Sequence, residues 1–274
     1  MNFKKKIIAL ALLVWGPLVW ASLEKPFFEA GLSGGAGYIP DYPGAGQSRS
    51  HALAFPIFNL RGRVFRSDDE DGTHARIFRD LNLTLDVSLG GSFPADSSQN
   101  RARENMPDLV WMGEVGPRLT TKLYGDALHY VKASVAVRMA LSTDFTRVDY
   151  RGVLLAPALS AVHEELIFRK ISVAVRVSPQ FATQELHEYF YTVEPQHATP
   201  SRPAHRARGG YVGTSLFSVF AFERPEYGIY TGVGASFQEG AANQKSPLFK
   251  ERINPVAFVG FRWYFYKSEE KGYL

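Results

Sequence analysis

The chain of 274 residues has 31 basic and 27 acidic residues, no cysteine, and an aromatic content of 14%, with 13 Tyr and 20 Phe. Without cysteine it has no disulfide staples, and beyond residue 21 no apolar run has spanning length, which excludes a helical membrane protein. Tyr and Trp suit a membrane–water interface, and a barrel that spreads its apolar residues over alternate positions has the average hydropathy of a soluble chain.

Residues 1–21 begin with Lys4, Lys5 and Lys6 and continue as the apolar run IIALALLVWGPLVWA. A basic start, a short apolar stretch and small residues at a cut site make a secretory signal peptide. Val19 and Ala21 suit the positions before cleavage, so the mature chain is expected to span 22–274 as one domain; with no Cys at the cut a lipoprotein anchor is excluded. Gly16 and Pro17 interrupt the run, which falls short of the roughly 20 apolar residues of a spanning helix. Three of the four formal positive charges leave with it. The near-neutral remainder offers no electrostatic case for nucleic acid.

In chain order the pattern predicts strands near 27–38, 51–66, 74–90, 108–122, 127–142, 150–163, 166–182, 209–223, 226–239 and 253–266. LNLTLDVSL is the clearest: Leu81, Leu83, Leu85, Val87 and Leu89 face one way, and Asn82, Thr84, Asp86 and Ser88 the other. No helix gives this period of two, which returns in KISVAVRVS at 170–178 and across 127–141. A soluble sandwich also alternates, but its strands run about five or six residues, whereas these match the roughly 9 to 11 residues of a tilted membrane strand. The expected fold is all-β: a transmembrane, antiparallel, up-and-down barrel of about ten strands. Twelve is the alternative, if HALAFPIF and RGRVF are separate strands and one more lies in 183–193. Pro56, inside the second strand, points to a bulge or an edge-like irregularity.

The connections alternate between short ones (SDDEDGT, YGDA, HEE, RPE) and mostly longer ones at 39–50, 91–107, 143–149, 183–208 and 240–252. Bacterial outer-membrane barrels have short periplasmic turns and long outer loops, so the outer membrane is the expected location. The last strand, NPVAFVGFRWYFY, has Gly260, Trp263 and Phe265 at positions resembling the C-terminal assembly signal of such barrels, although KSEEKGYL follows it.

Several groups could carry chemistry. Asp86, Glu114, Arg118, Lys122, Lys132, Arg138, Arg176 and Arg262 fall on the polar faces of their strands and are expected to meet in the lumen. They read as a mutually paired polar core that fills the barrel, or as a selectivity lining. The former is favoured because about ten strands enclose little more than their own side chains, and buried charge needs a partner. Among His51, His74, His129, His163, His187, His197 and His205 none sits two residues from a serine on one strand face near the outer rim, so no enzyme, cofactor or metal site is expected. SDDEDG, residues 67–72, lacks the alternate acids and closing Glu of a calcium loop and reads as a solvated turn. Arg202, Arg206 and Arg208 in PSRPAHRAR are poised for lipopolysaccharide phosphates if that loop is external, or else are simply solvated.

Three segments, GGAGYIPDYPGAG, HEYFYTV and QKSPLF, resemble the MltA-interacting protein / OmpV family of outer-membrane proteins. The most specific match is Pro40, Asp41, Tyr42, Pro43 and Gly44, supported by Ser246 to Leu248; YFYTV and the C-terminal tail depart from the family pattern. The resemblance implies an outer-membrane barrel and, for the founding member, a scaffold that brings a murein-cleaving lytic transglycosylase to a murein synthase, a penicillin-binding protein. Other members imply adhesion or permeation, so a narrow channel or a surface adhesin is the alternative. Read from its own residues, 37–50 is a turn more than a ligand site, with Pro40 and Pro43 fixing φ, Gly44 and Gly46 allowing positive φ, and Asp41 accepting local hydrogen bonds.

Overall fold

The computed structural model describes residues 26–61, 66–68, 74–79, 83–167 and 171–271. The expected signal peptide, most of the SDDEDG turn and the last three residues lie outside the described residues. Among the described residues twelve antiparallel strands close into one barrel, each pairing with its neighbours in the chain and the last with the first. They are β1 (Phe28–Pro40), β2 (Ser48–Arg61), β3 (Arg66–Asp68), β4 (His74–Arg79), β5 (Leu83–Ser92) and β6 (Trp111–Gly125), then β7 (His129–Thr143), β8 (Val148–Ile167), β9 (Ile171–Ala182), β10 (Gly210–Glu223), β11 (Tyr227–Phe237) and β12 (Ile253–Lys267). The alternative count therefore holds, but by a different division. The stretch 183–193 adds no strand, because Gln184–Tyr191 forms the helix α1; the added strands are β3 and β4, which break the expected segments 51–66 and 74–90.

The seam between β1 and β12 shows how alternation becomes a wall. Leu32 opposes Trp263 and Ser33 opposes Arg262. The first pair is exposed on the outer surface, and the second borders the lumen. Leu119 opposite Val135, and Val175 and Val233, which flank Ser218 of β10 from either side, continue the outer apolar band. In hydrocarbon every backbone N–H and C=O must find a partner within the protein, and a closed sheet supplies them all.

The described ends, Pro26 and Lys271, lie at the end of the short turns. Phe27 donates its N–H to the Glu270 carbonyl at 2.7 Å, Ser268 and Phe28 exchange hydrogen bonds, and Pro26 bridges Lys271. The tail after Tyr266 thus folds back beside the chain start. The loops 41–47, 93–110, 183–209 and 238–252 gather at the opposite end.

Among the described residues the ladder has fewest pairs between β2 and β5. β2 meets β3 only at Leu60 and Arg61, and β5 meets β4 only through Thr84, Leu85 and Asp86. Among the described residues, the rest of β2 and of β5 towards the loop end has no ladder partner on that side. Pro56 sits on this open edge, the setting that tolerates a residue without an N–H, and the β1–β2 register passes through it without a bulge.

The two faces of β7 predict opposite responses to charge. Val135→Arg, on the lipid face, should cost about 2–4 kcal/mol if the site lies near the bilayer midplane, whereas Ser134→Arg, on the lumen face, should cost under about 1 kcal/mol in this hydrated interior. Urea unfolding in lipid vesicles, followed by tryptophan fluorescence, measures both.

Candidate functional site: a capped, charged lumen

The loop end carries the main apolar core of the molecule. Tyr42, Ala45, Ala95, Leu109, Leu186, Phe190, Tyr191, Val193, Ala207 and Leu248 are buried against one another and form a cap over the barrel mouth. α1 follows from its sequence: Leu186, His187, Phe190 and Tyr191, at i, i+1, i+4 and i+5, make one buried stripe, and Glu185 lies in the first turn where the helix dipole favours an acid.

At the centre is Tyr42, 1% exposed. Its hydroxyl donates to the Leu248 carbonyl at 2.7 Å, its ring stacks on Phe190 and meets Tyr191 edge-on, and the Arg103 guanidinium lies 5.8 Å from the ring centre. Tyr191 donates its hydroxyl to the Pro43 carbonyl at 2.7 Å, and Ser246 donates to the Tyr191 carbonyl at 2.7 Å. Gly44 donates its N–H to the Asn254 side chain at 2.6 Å. Gly44 has φ of 79°, and a Cβ there would stand 2.7 Å from the Phe249 ring, so only glycine fits. The three segments that resemble the family pattern therefore meet in the cap, joined there by loop 93–110, and 37–50 is a turn built into it. Two details differ from the expectation. Gly46 is not among the glycines of positive φ, and Asp41 uses its carboxylate on distant partners, accepting from Asn100 Nδ2 at 2.6 Å and pairing with Arg49 at 3.0 Å.

Burial pushes the Tyr42 and Tyr191 phenols far above their ordinary range and lowers the Arg103 guanidinium. His187, 2% exposed, is likewise pushed down by burial. Its Nε2 lies 3.0 Å from the Gly210 carbonyl and its Nδ1 2.9 Å from the Asn243 amide nitrogen, partners that fit a neutral ring protonated at Nε2. It is a structural histidine. Arg202 is no surface arginine: it is buried and its guanidinium donates to the carbonyls of Ala102, Glu104 and His197. Arg206 and Arg208 are exposed.

Below the cap the expected lumen charges are gathered, though not as a filled core. Arg118 makes a two-pronged pair with Asp86, both contacts at 2.9 Å. Arg138 pairs with Glu114 at 2.9 Å and donates to Ser88 at 3.3 Å; a Cβ on Gly90 would lie 2.6 Å from the Glu114 carboxylate, so glycine there makes room for the pair. Arg262 lies 3.5 Å from Glu223 and over the rings of Tyr230 and Tyr264. Lys132 lies over the Tyr130 ring. Lys122 is exposed and donates to the Asp126 carbonyl beside the β6–β7 turn, which places it at the inner mouth and not among the buried pairs. Among the described residues Arg176 makes no ion pair; the charges that act on it are the cations Arg118 and Arg138. Arg118, Lys132, Arg138, Arg176, Glu223 and Arg262 border a cavity of about 1420 Å³, because twelve strands enclose more room than their side chains occupy.

Sequence reasoning placed the polar faces but missed the cap. Its members Asn100 and Arg103, Tyr191, and Asn254 lie on three separate segments, and the available signal was the unusual density of Tyr, Phe, Pro and Gly in the long loops.

A closed, capped β-barrel with an apolar outer band and a charged lumen defines an outer-membrane barrel protein. A family model described as "MltA-interacting protein MipA" matches residues 32–265, and the chain belongs to that family. This membership supports a non-enzymatic barrel. No curated protein matches the chain. Solved structures similar in outline include the NanC porin (8% identity, 86% of this chain, 98% of that one, TM-score 0.38) and the outer-membrane protease OmpT from Escherichia coli (6%, 87% and 96%, 0.32). The toluene transporter TbuX from Ralstonia pickettii is a third (8%, 89% and 90%, 0.32). At these scores nothing about chemistry follows from the likeness.

Tyr42→Phe leaves the Leu248 carbonyl without its donor and should loosen the cap by about 1 kcal/mol. Tyr42→Ala should open it by about 3–5 kcal/mol, read as protease cleavage within 183–209 while the barrel stays folded. His187 adds a pH dependence. Its lowered value in the folded cap means that the opened segment binds the proton first, so its contribution is whole above the ordinary histidine value of about 6.5 and is lost as pH falls below it. The same cleavage should accelerate from pH 7.5 to pH 5, and less so in His187→Asn.

Proposed function

We propose that the chain, after removal of residues 1–21, is a single-domain outer-membrane barrel that works as a scaffold on its periplasmic side. It would hold a lytic transglycosylase close to a penicillin-binding protein that synthesises murein. The observation that carries this reading is the cap: a barrel stoppered at its outer mouth by a hydrogen-bonded apolar core is poorly suited to free passage, which leaves the inner face for partners. The family description names an interaction with MltA, which supports a transglycosylase as the kind of partner. The surface available for it comprises the turns around Asp126 and Pro225 and the tail, where Lys267 donates to the Pro225 carbonyl and approaches Glu29. Arg206 and Arg208, exposed at the other end, could meet lipopolysaccharide phosphates there, although Arg206 lies 3.6 Å from Glu188 and Arg208 donates to the Ala242 carbonyl at 3.3 Å.

The cavity past Arg118, Arg138 and Arg176 favours a second reading, a narrow channel. Two measurements separate them. Under the scaffold reading, detergent-solubilised protein retains a lytic transglycosylase in a pull-down, the double charge reversal Glu269→Lys/Glu270→Lys lowers retention about tenfold, and planar bilayers stay silent. Steady single-channel steps together with an empty pull-down would establish the channel instead.

A further inference from the structure

A second cavity lies between the lumen and the cap. It encloses about 290 Å³, and none of its lining residues comes from 59–82. Met112 of β6, Leu154 of β8, Leu186 and Phe190 of α1 and Val212 of β10 supply apolar walls. All five are buried. His187 and Tyr191 also border it, but the Tyr191 hydroxyl is engaged with the Pro43 carbonyl and both His187 nitrogens with Gly210 and Asn243. They present ring surface only. Arg138 and Gln180 border both this cavity and the lumen, which makes the lumen its way in.

The polar groups at its floor are of two kinds. Glu114 and Arg138 pair at 2.9 Å and neutralise one another, so they have no net charge to offer a charged guest. The Gln180 amide and the Ser92 hydroxyl, in contrast, have no hydrogen-bond partner among the described residues. Close-packed interiors keep few voids larger than a water molecule, and an ordered water needs about two to four polar partners, which walls of Met, Leu, Phe and Val do not supply. The space calls for a guest that is mostly apolar. A dry cavity of about 150 Å³ holds benzene; this one, about twice that size, has room for two fused rings.

We propose that this cavity binds a compact neutral molecule of about two rings, apolar over most of its surface and carrying one hydroxyl or amide group that hydrogen-bonds Gln180. With the cap above, it arrives through the lumen from the periplasmic side. A charged guest would have to break the pair of Glu114 and Arg138, and a long apolar chain would not fit beneath the cap. The proposal goes beyond the scaffold reading and does not depend on it.

The test uses the full mature chain in nanodiscs of zwitterionic lipid, with its methionine methyl groups labelled with carbon-13 and followed by NMR. The mature chain keeps Met106, Met112 and Met139. Met112 lines the cavity, Met106 packs against the cap, and Met139 is exposed on the lipid face. 2-Naphthol should shift Met112 saturably, while Met139 follows only the linear uptake of the probe by lipid. Naphthalene, without the hydroxyl, should bind about fivefold more weakly, and the anion 2-naphthoate at least about tenfold more weakly. Gln180→Leu should bring 2-naphthol down to the level of naphthalene and leave naphthalene unchanged. Ala182→Phe, which fills the cavity from its wall, should abolish the saturable shift. Heat-dependent gel migration and an unmoved Met106 signal confirm that each variant keeps its barrel and cap. If Met112 shows no saturable shift, or moves only in parallel with Met139, the probe is merely dissolved in lipid and the proposal is overturned. Equal binding of 2-naphthoate overturns it too, by marking an anion site, and so does naphthalene binding equal to 2-naphthol with Gln180→Leu silent, which would mark a void without a polar anchor.

Discussion

The structure depends on one constraint, that a backbone crossing hydrocarbon must pair all its polar groups within itself. Here the requirement is met by joining β12 to β1, a seam along which residues more than 200 positions apart sit side by side. Once the seam is closed the rest follows. Alternate residues must face lipid, both termini come to one end, and no cysteine is needed because the ladder itself holds the chain. The same constraint makes the short β3 and β4 informative, since they carry closure around one side of the barrel.

The second organising contact is the cap. In a water-soluble protein the apolar core lies between layers of secondary structure, but a membrane barrel turns its apolar residues outward and fills its interior with polar groups. The apolar core of this molecule has moved to the loops, where Tyr42, Tyr191 and Leu248 come from three separate connections. Their hydroxyl and carbonyl groups are matched within the core, which lets them be buried at modest cost. Below the cap the lumen holds paired charges around open space, so the barrel is closed at one end and hollow, a combination that bears on both partner binding and ligand binding.

Much of the wall was legible in advance. Segments such as 81–89 and 170–178 showed the period of two, and their lengths separated a membrane strand from a sandwich strand. Asp86, Arg118, Glu114 and Arg138 were placed on the lumen face by parity alone, and Pro56 marked an edge because a missing N–H is tolerated only where a ladder is absent. The helix in 183–193 was not legible as such. HEYFYTV is rich in aromatic residues that suit a strand equally well, and its helical state is decided by what Leu186, Phe190 and Tyr191 pack against. Arg202, read as a solvated or phosphate-facing arginine, is buried on three carbonyls, a fate that depends on one other loop, 93–110.

By itself the sequence determined the fold class, the inward and outward faces and the division into short turns and long loops, because alternation and turn chemistry are local properties of the chain. Tertiary structure decided which cations find acids, that Arg176 pairs with none among the described residues, and that the family motifs join into one cap. Each of these depends on distances between strands far apart in the chain, and local pattern does not encode them.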